Sequence, residues 1–228
     1  NLDATDQATD TPTNNFATWN SLALYASDAT LSQGNLDVAY GSSSTRATTF
    51  GTMAATTGKW WYESKITASA GAGNPHICIG FANTTSSGLL GSYPSATDGY
   101  SAIYYGNNGN IYIGNSSSQA TENYPVNGSY LGIGADLDNS KFYVYLDGAE
   151  ISTGGGIDFS GQTSGDGYWI PAVGDFHAAH SWTVSFNFGN PTYAIASGNS
   201  DANGYGNFEY AVPNGFYALC TKNLAEYG

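Results

Sequence analysis

Catalysis and metal binding call for paired carboxylates, clustered histidines or cysteines, or an activated hydroxyl, and this chain offers few such arrangements. Asp136, Asp138 and Asn139 set oxygen ligands at alternate positions, as a calcium loop does at its start. The sixth position of that loop needs glycine for its sharp turn and here holds Lys141, while the twelfth, which takes a bidentate glutamate, holds Asp147. The triplet therefore reads as turn chemistry. Glycoside cleavage needs two carboxylates flanking a cleft, yet Glu63, Glu122, Glu150, Glu209 and Glu226 are scattered and no acid-x-acid-x-acid run lies on one strand face. Asp136 and Asp138 do share a face, but the second belongs to a turn. His177 and His180 are separated by three positions, not the two that would set both on one face of a strand, and they and His76 read as isolated histidines. No Gly-x-Ser-x-Gly turn occurs in the right context, and no glycine-rich phosphate loop runs into a helix. Cys78 and Cys220 each sit in an apolar run, as buried thiols do; their number leaves a single disulfide open. The expectation is a chain that is not an enzyme and that needs no metal or organic cofactor.

The elements that position these residues are strands. In 59–66, Trp60, Tyr62, Ser64 and Ile66 alternate with Lys59, Trp61, Glu63 and Lys65, and the first set turns to the core. Leu131, Ile133, Ala135 and Leu137 alternate in the same way, and Asp138-Asn139-Ser140 turns the chain into Phe142, Val144 and Leu146, a hairpin whose Tyr143 and Tyr145 face solvent. Trp182, Val184, Phe186 and Phe188 form another apolar face. Further strands are expected at 77–82, 100–105, 110–114 and 168–173, with a last one near 216–220. No helical period survives a window of eleven residues. Residues 1–21 are polar, with Phe16 and Trp19 as anchors, and read as an extended lead-in. The buried set should include Trp60, Tyr62, Ile79, Phe81, Ile133, Leu137, Phe142, Val144, Trp182, Val184 and Phe186.

With 228 residues, 41% of them hydrophobic and 14% aromatic, the chain has material for one large β core. Five basic against eighteen acidic residues give a formal net charge of −13. Arg46, Lys59, Lys65, Lys141 and Lys222 lie far apart, so neither nucleic acid nor an anionic membrane is expected as a partner. No run of about eighteen apolar residues occurs, so no membrane insertion is expected. Asn1 opens directly onto a polar segment, as expected of a processed chain or a piece of a longer polypeptide.

The order of motifs resembles the SPRY domain family. The matching runs are Gly58-Lys59-Trp60-Trp61-Tyr62-Glu63, Ile79-Gly80-Phe81-Ala82, Asp98-Gly99-Tyr100 leading to Tyr105-Gly106-Asn107-Asn108-Gly109, and Leu131 through Asn139. Phe142 through Gly148, Tyr168 through Val173 and Val184 through Gly189 complete the series. Leu31-Ser32-Gln33-Gly34-Asn35-Leu36 and the closing stretch 212–219 are similar to variants in bacteriophage and environmental viral structural proteins, in tail, fibre or surface chains. Insertions at 153–167 and 190–211 depart from the eukaryotic pattern. The resemblance implies an all-β, two-sheet antiparallel SPRY-like (concanavalin-like) β-sandwich. Within it, 1–57 is a lead-in with first strands packing on the sandwich proper at 58–228, as one structural domain.

It also implies a non-enzymatic recognition or adhesion module on a virion or other extracellular surface. Its partner would be a protein or glycan on a host or neighbouring surface, or other virion chains. The alternatives are a purely structural capsid, tail or fibre decoration protein, and a carbohydrate-active enzyme on a jelly roll. In family members the connections matching 83–98 and 175–181 sit side by side, which makes Leu89, Leu90, Tyr93, Phe176, His177 and His180 the candidate ligand-binding residues. Apolar and aromatic side chains in polar loops are what a partner would bury.

Overall fold

Period-two alternation at the sequence level becomes two antiparallel sheets facing one another. The computed structural model describes residues 10–25, 29–41, 47–70, 75–84, 100–114, 116–162, 167–175 and 180–228. The strands are β1 (Trp19–Tyr25), β2 (Ala29–Ser32), β3 (Asp37–Tyr40), β4 (Ala47–Gly51), β5 (Lys59–Ala70), β6 (Ile77–Asn83), β7 (Ser101–Tyr105) and β8 (Asn110–Ile113). They continue as β9 (Ser116–Ala120), β10 (Tyr130–Asp136), β11 (Lys141–Leu146), β12 (Ala149–Glu150), β13 (Ile157–Asp158), β14 (Trp169–Asp175), β15 (Ser181–Asn187) and β16 (Tyr217–Ala218). A seven-stranded sheet runs β1-β4-β14-β6-β7-β8-β9; the other runs β12-β11-β10-β5-β15-β3-β2, with β13 on β11 and β16 on β5. Residues 19–51 thus supply strands to both sheets, so the lead-in is woven into the sandwich.

The core lies between the sheets. Trp60, Tyr62, Ile79, Phe81, Ile133, Phe142, Val144, Trp182, Val184 and Phe186 are all buried there, as alternation requires. The Tyr62 hydroxyl crosses from β5 to donate 2.8 Å to the Gly80 carbonyl of β6, tying the layers together. Leu137 is the exception: it lies one residue past the end of β10, in the turn, and is half-buried against the edge of the core.

The outer face of β5 also departs from expectation. Trp61 and Glu63 point away from the core yet are each only 1% exposed, because the chain from 190 to 220 is laid across them. Tyr143 and Tyr145 are half-buried under the same cover, with the Tyr143 ring 5.2 Å from that of Phe216. Gly132 and Gly134 make room for this layer: a Cβ at Gly132 would stand 2.3 Å from the Trp61 ring, and one at Gly134 2.9 Å from Phe216. β16 pairs in parallel with Trp60 and Trp61, where β15 has already ended, and completes that edge of β5. The chain then forms one helix, α1 (Thr221–Tyr227), whose seven residues are too few to register in an eleven-residue window. Cys78 and Cys220 are buried and not joined by a disulfide, and burial raises the pKa of the Cys220 thiol.

Candidate binding site at the histidine-bearing end

Strand direction decides which connections can meet. β14 runs against β6 with Asp175 beside Ile77 and Trp169 beside Asn83. The connection that follows Asp175 therefore leaves at the Ile77 end, and the one that follows Asn83 leaves at the other end of the strand, about 20 Å away over six steps of ~3.3 Å. The expected rim joining 83–98 to 175–181 is thus divided at its roots. Leu89, Leu90, Tyr93, Phe176 and His177 lie outside the described residues. His180 is described, half-buried at the Ile77 end.

At that end the sheets hold a polar and aromatic floor. His76, only 7% exposed, stacks on His180 with ring centroids 4.0 Å apart and planes at 24°. Its Nδ1 lies 2.5 Å from the Tyr105 hydroxyl and its Nε2 3.0 Å from the Asn107 amide nitrogen. Both ring nitrogens of His76 are thus engaged in hydrogen bonds, which fixes the plane on which His180 stacks. Beside them the Trp182 indole donates to the buried Asp175 carboxylate at 3.2 Å, and the Trp182 ring packs 4.4 Å from Tyr40. Burial pushes the Tyr40 phenol well up, so it stays neutral and shares a hydrogen bond of 3.1 Å with Thr49.

The segment 121–128 completes this end. It packs on the turn after β7: the Tyr104 hydroxyl donates 2.6 Å to the Asn123 carbonyl, and a Cβ at Gly106 would stand 3.2 Å from Pro125. The same segment carries Tyr124, 40% exposed, and Val126, 59% exposed, among the described residues. The described lysines are engaged elsewhere: Lys59 with Asp136, Lys141 with Asp158, Lys65 over the Tyr130 and Tyr193 rings, and Lys222 over Tyr205. The surface here is apolar and aromatic, with hydrogen-bonding groups and the exposed carboxylate of Glu122. Tyr124 and Val126 were not among the candidates, although an apolar pair flanking a proline in a polar stretch is a readable signal. Nothing in the sequence announced that His76 and His180, more than a hundred residues apart, would stack.

The remaining chemistry-bearing residues are spent on the fold. Asp136 takes an ion pair of 2.8 Å from Lys59 and two hydrogen bonds from Asn139, and Asp138 accepts the Gly58 N–H at 2.8 Å. Burial alone would raise the Asp136 carboxyl, but the bonds from Lys59 and Asn139 outweigh it and hold the group below its usual range. Glu63 accepts the backbone N–H groups of Tyr210 and Glu209, each at 2.9 Å, and a bond from the Asn187 side chain, with no cation beside it among the described residues; burial raises its pKa to about 7 despite those bonds.

No family model matches the sequence, and no curated protein matches it. Among solved structures, the chain is similar to the SPRY domain of human HERC1, with a TM-score of 0.58 and 13% identity over 74% of this chain and 96% of that one. A second similar structure is a human SPRY domain, with a TM-score of 0.48 and 18% identity over 74% and 98% of the two chains. The fold is the SPRY-like β-sandwich.

Proposed function

We propose that this domain is a non-catalytic recognition module that binds a protein or glycan surface through its histidine-bearing end. The observation that carries the reading is the placement of exposed Tyr124 and Val126 at the same end of the sandwich as the stacked His76 and His180, where β4, β6 and β15 begin and β7 ends. Rigid aromatic rings and neutral donors give contact area at low entropic cost. A chain of net charge −13 whose described cations are spent elsewhere suits a neutral or basic partner. The reading as non-catalytic is supported by the commitment of Glu63, Asp136 and Asp138 to backbone donors and to Lys59. We further propose that the module belongs to a virion or other extracellular surface chain, on the motif resemblance noted above. The gene neighbourhood tests that context: flanking capsid or tail genes support it, and a neighbourhood without them contradicts it.

The binding test compares the wild-type chain with a Tyr124→Ser/Val126→Ser/His180→Ala variant on glycan arrays, peptide libraries and intact cells. Loss of about 2 kcal/mol of binding, roughly thirtyfold, at an unchanged melting temperature is expected. Equal binding by both proteins would refute the site.

A further inference from the structure

Asparagine followed by glycine carries chemistry of its own. The glycine nitrogen, unshielded by a side chain, gives up its proton to hydroxide and attacks the asparagine Cγ. The new N–Cγ bond closes a five-membered succinimide, the Cγ–Nδ2 bond breaks, and the side-chain amide leaves as ammonia. Water then opens the ring at either carbonyl, giving aspartate or isoaspartate, and no oxidant or cofactor is consumed. The chain has four such pairs, Asn108-Gly109, Asn127-Gly128, Asn203-Gly204 and Asn214-Gly215.

Two of them are locked. The Gly109 N–H donates to the Tyr105 carbonyl at 3.0 Å, while Asn108 Oδ1 accepts the Asn110 N–H and its Nδ2 donates to the Tyr112 hydroxyl, each at 3.0 Å. The Gly204 N–H donates to the Asp201 carbonyl at 3.0 Å, and the Asn203 amide donates to Asn223 at 2.9 Å. A nitrogen held in this way must lose its hydrogen bond before it can attack.

The other two form a matched pair. Each asparagine is exposed and occupies the second position of a turn, closed by the Ser129 N–H on the Val126 carbonyl at 2.9 Å in one case and by the Phe216 N–H on the Pro213 carbonyl at 3.0 Å in the other. Each glycine takes a positive φ, +95° at Gly128 and +81° at Gly215. They differ at the attacking nitrogen. The Gly128 N–H donates to the Ile66 carbonyl at 2.8 Å, whereas the Gly215 N–H donates to no acceptor among the described residues. Accessibility alone would rank the two the other way, since Gly128 is exposed and Gly215 half-buried. We propose that Asn214 is a self-modifying site, the Asn-Gly pair of this chain that deamidates first, with water as the only reactant consumed.

The product falls where the C-terminal segment meets β5. A Cβ at Gly215 would stand 3.9 Å from Lys59 Cδ, so the turn that gains a carboxylate lies against the stem of the lysine that pairs with Asp136 at 2.8 Å. Isoaspartate also lengthens the main chain by a carbon just ahead of Phe216, whose ring centroid lies 6.4 Å from that of Trp61 and 5.2 Å from that of Tyr143. Deamidation at Asn214 therefore adds negative charge and slack to the outer cover of β5.

The test is to age the folded chain at mildly alkaline pH and body temperature and to follow amide-to-acid conversion at the four asparagines by peptide mass mapping. Asn214 is expected to convert at least about threefold faster than Asn127, the worth of one hydrogen bond, with Asn108 and Asn203 no faster than Asn127. In the chain unfolded by chaotrope the rates of Asn127 and Asn214 should draw together, which separates the hydrogen-bond argument from any effect of neighbouring residues. A smaller ratio in the folded chain, conversion of another of the four first, or a preference for Asn214 that survives unfolding would each overturn the proposal.

Discussion

The two ends of the sandwich use polar residues in opposite ways. At the end where β5 begins, polar groups are consumed in closing the fold. Trp60 Nε1 donates to the Thr57 carbonyl, Asp138 caps the Gly58 N–H, Lys59 pairs with Asp136, and Thr57 reaches the Tyr227 carbonyl of α1. Asp201 clasps the C-terminal segment there, accepting from the backbone of Asn203, Tyr205 and Ala218 and from the Asn223 amide. At the Ile77 end a similar density of polar and aromatic groups supports a surface on which Tyr124 and Val126 stand open. Substitutions at the first end should therefore be felt as stability, and at the second as binding.

The largest effect is expected at Asp201. Replacing it by alanine strands several buried donors at once, at about 1–3 kcal/mol for each one left without a partner, and should lower stability by about 4 kcal/mol in denaturant melts. A loss below about 1 kcal/mol would mean that the C-terminal segment is only loosely held.

Glu63 comes next and acts through pH. Its folded pKa is about 7 against 4.5 for the free side chain, so its contribution is fully present below 4.5, declines as pH rises and is gone above about 7. The difference is at most about 3 kcal/mol. Melting temperatures of wild type and Glu63→Gln should thus diverge between pH 4.5 and 7, with the wild type alone sloping downward. Parallel profiles would show that the two backbone donors already offset the burial.

Asp136 should show the opposite slope. Its pKa is held below the usual carboxylate range, so its stabilisation is present above that range and is lost as the pH falls through the folded value. Lys59→Met should cost about 1–2 kcal/mol at neutral pH, since Lys59 is partly exposed, and should flatten the acid limb of the melting profile. At the histidine-bearing end, Tyr124→Ser and His180→Ala should change stability by less than about 0.5 kcal/mol each. A larger loss would move those residues into the closing machinery and erase the distinction between the two ends.

The inner face of the large sheet was legible because alternation specifies it locally: Tyr62, Ile133, Val144 and Phe186 needed only their own strands to be placed. The outer face was not. Alternation set Trp61 and Glu63 opposite the core but could not say that Glu209, Tyr210 and Phe216, some 150 residues onward, would cover them. Leu137 was misplaced for a related reason, since a strand pattern does not mark where pairing stops. At the histidine-bearing end, His180 was reached through its loop and Tyr124 was readable beside Pro125, whereas the stacking of His180 on His76 arises from register between distant strands. Local sequence carries no trace of such registers.

The decisive measurement is a hydrogen-exchange footprint of the full chain bound to whichever glycan, peptide or surface protein the screen identifies. Slowed exchange should map to 104–109, 121–128 and 180–182, with β1 and the 209–212 segment unchanged. Protection confined to the edge strand β1, where Leu22 is 96% exposed, or to the closed end around Lys59 and Asp136, would contradict recognition through the histidine-bearing end.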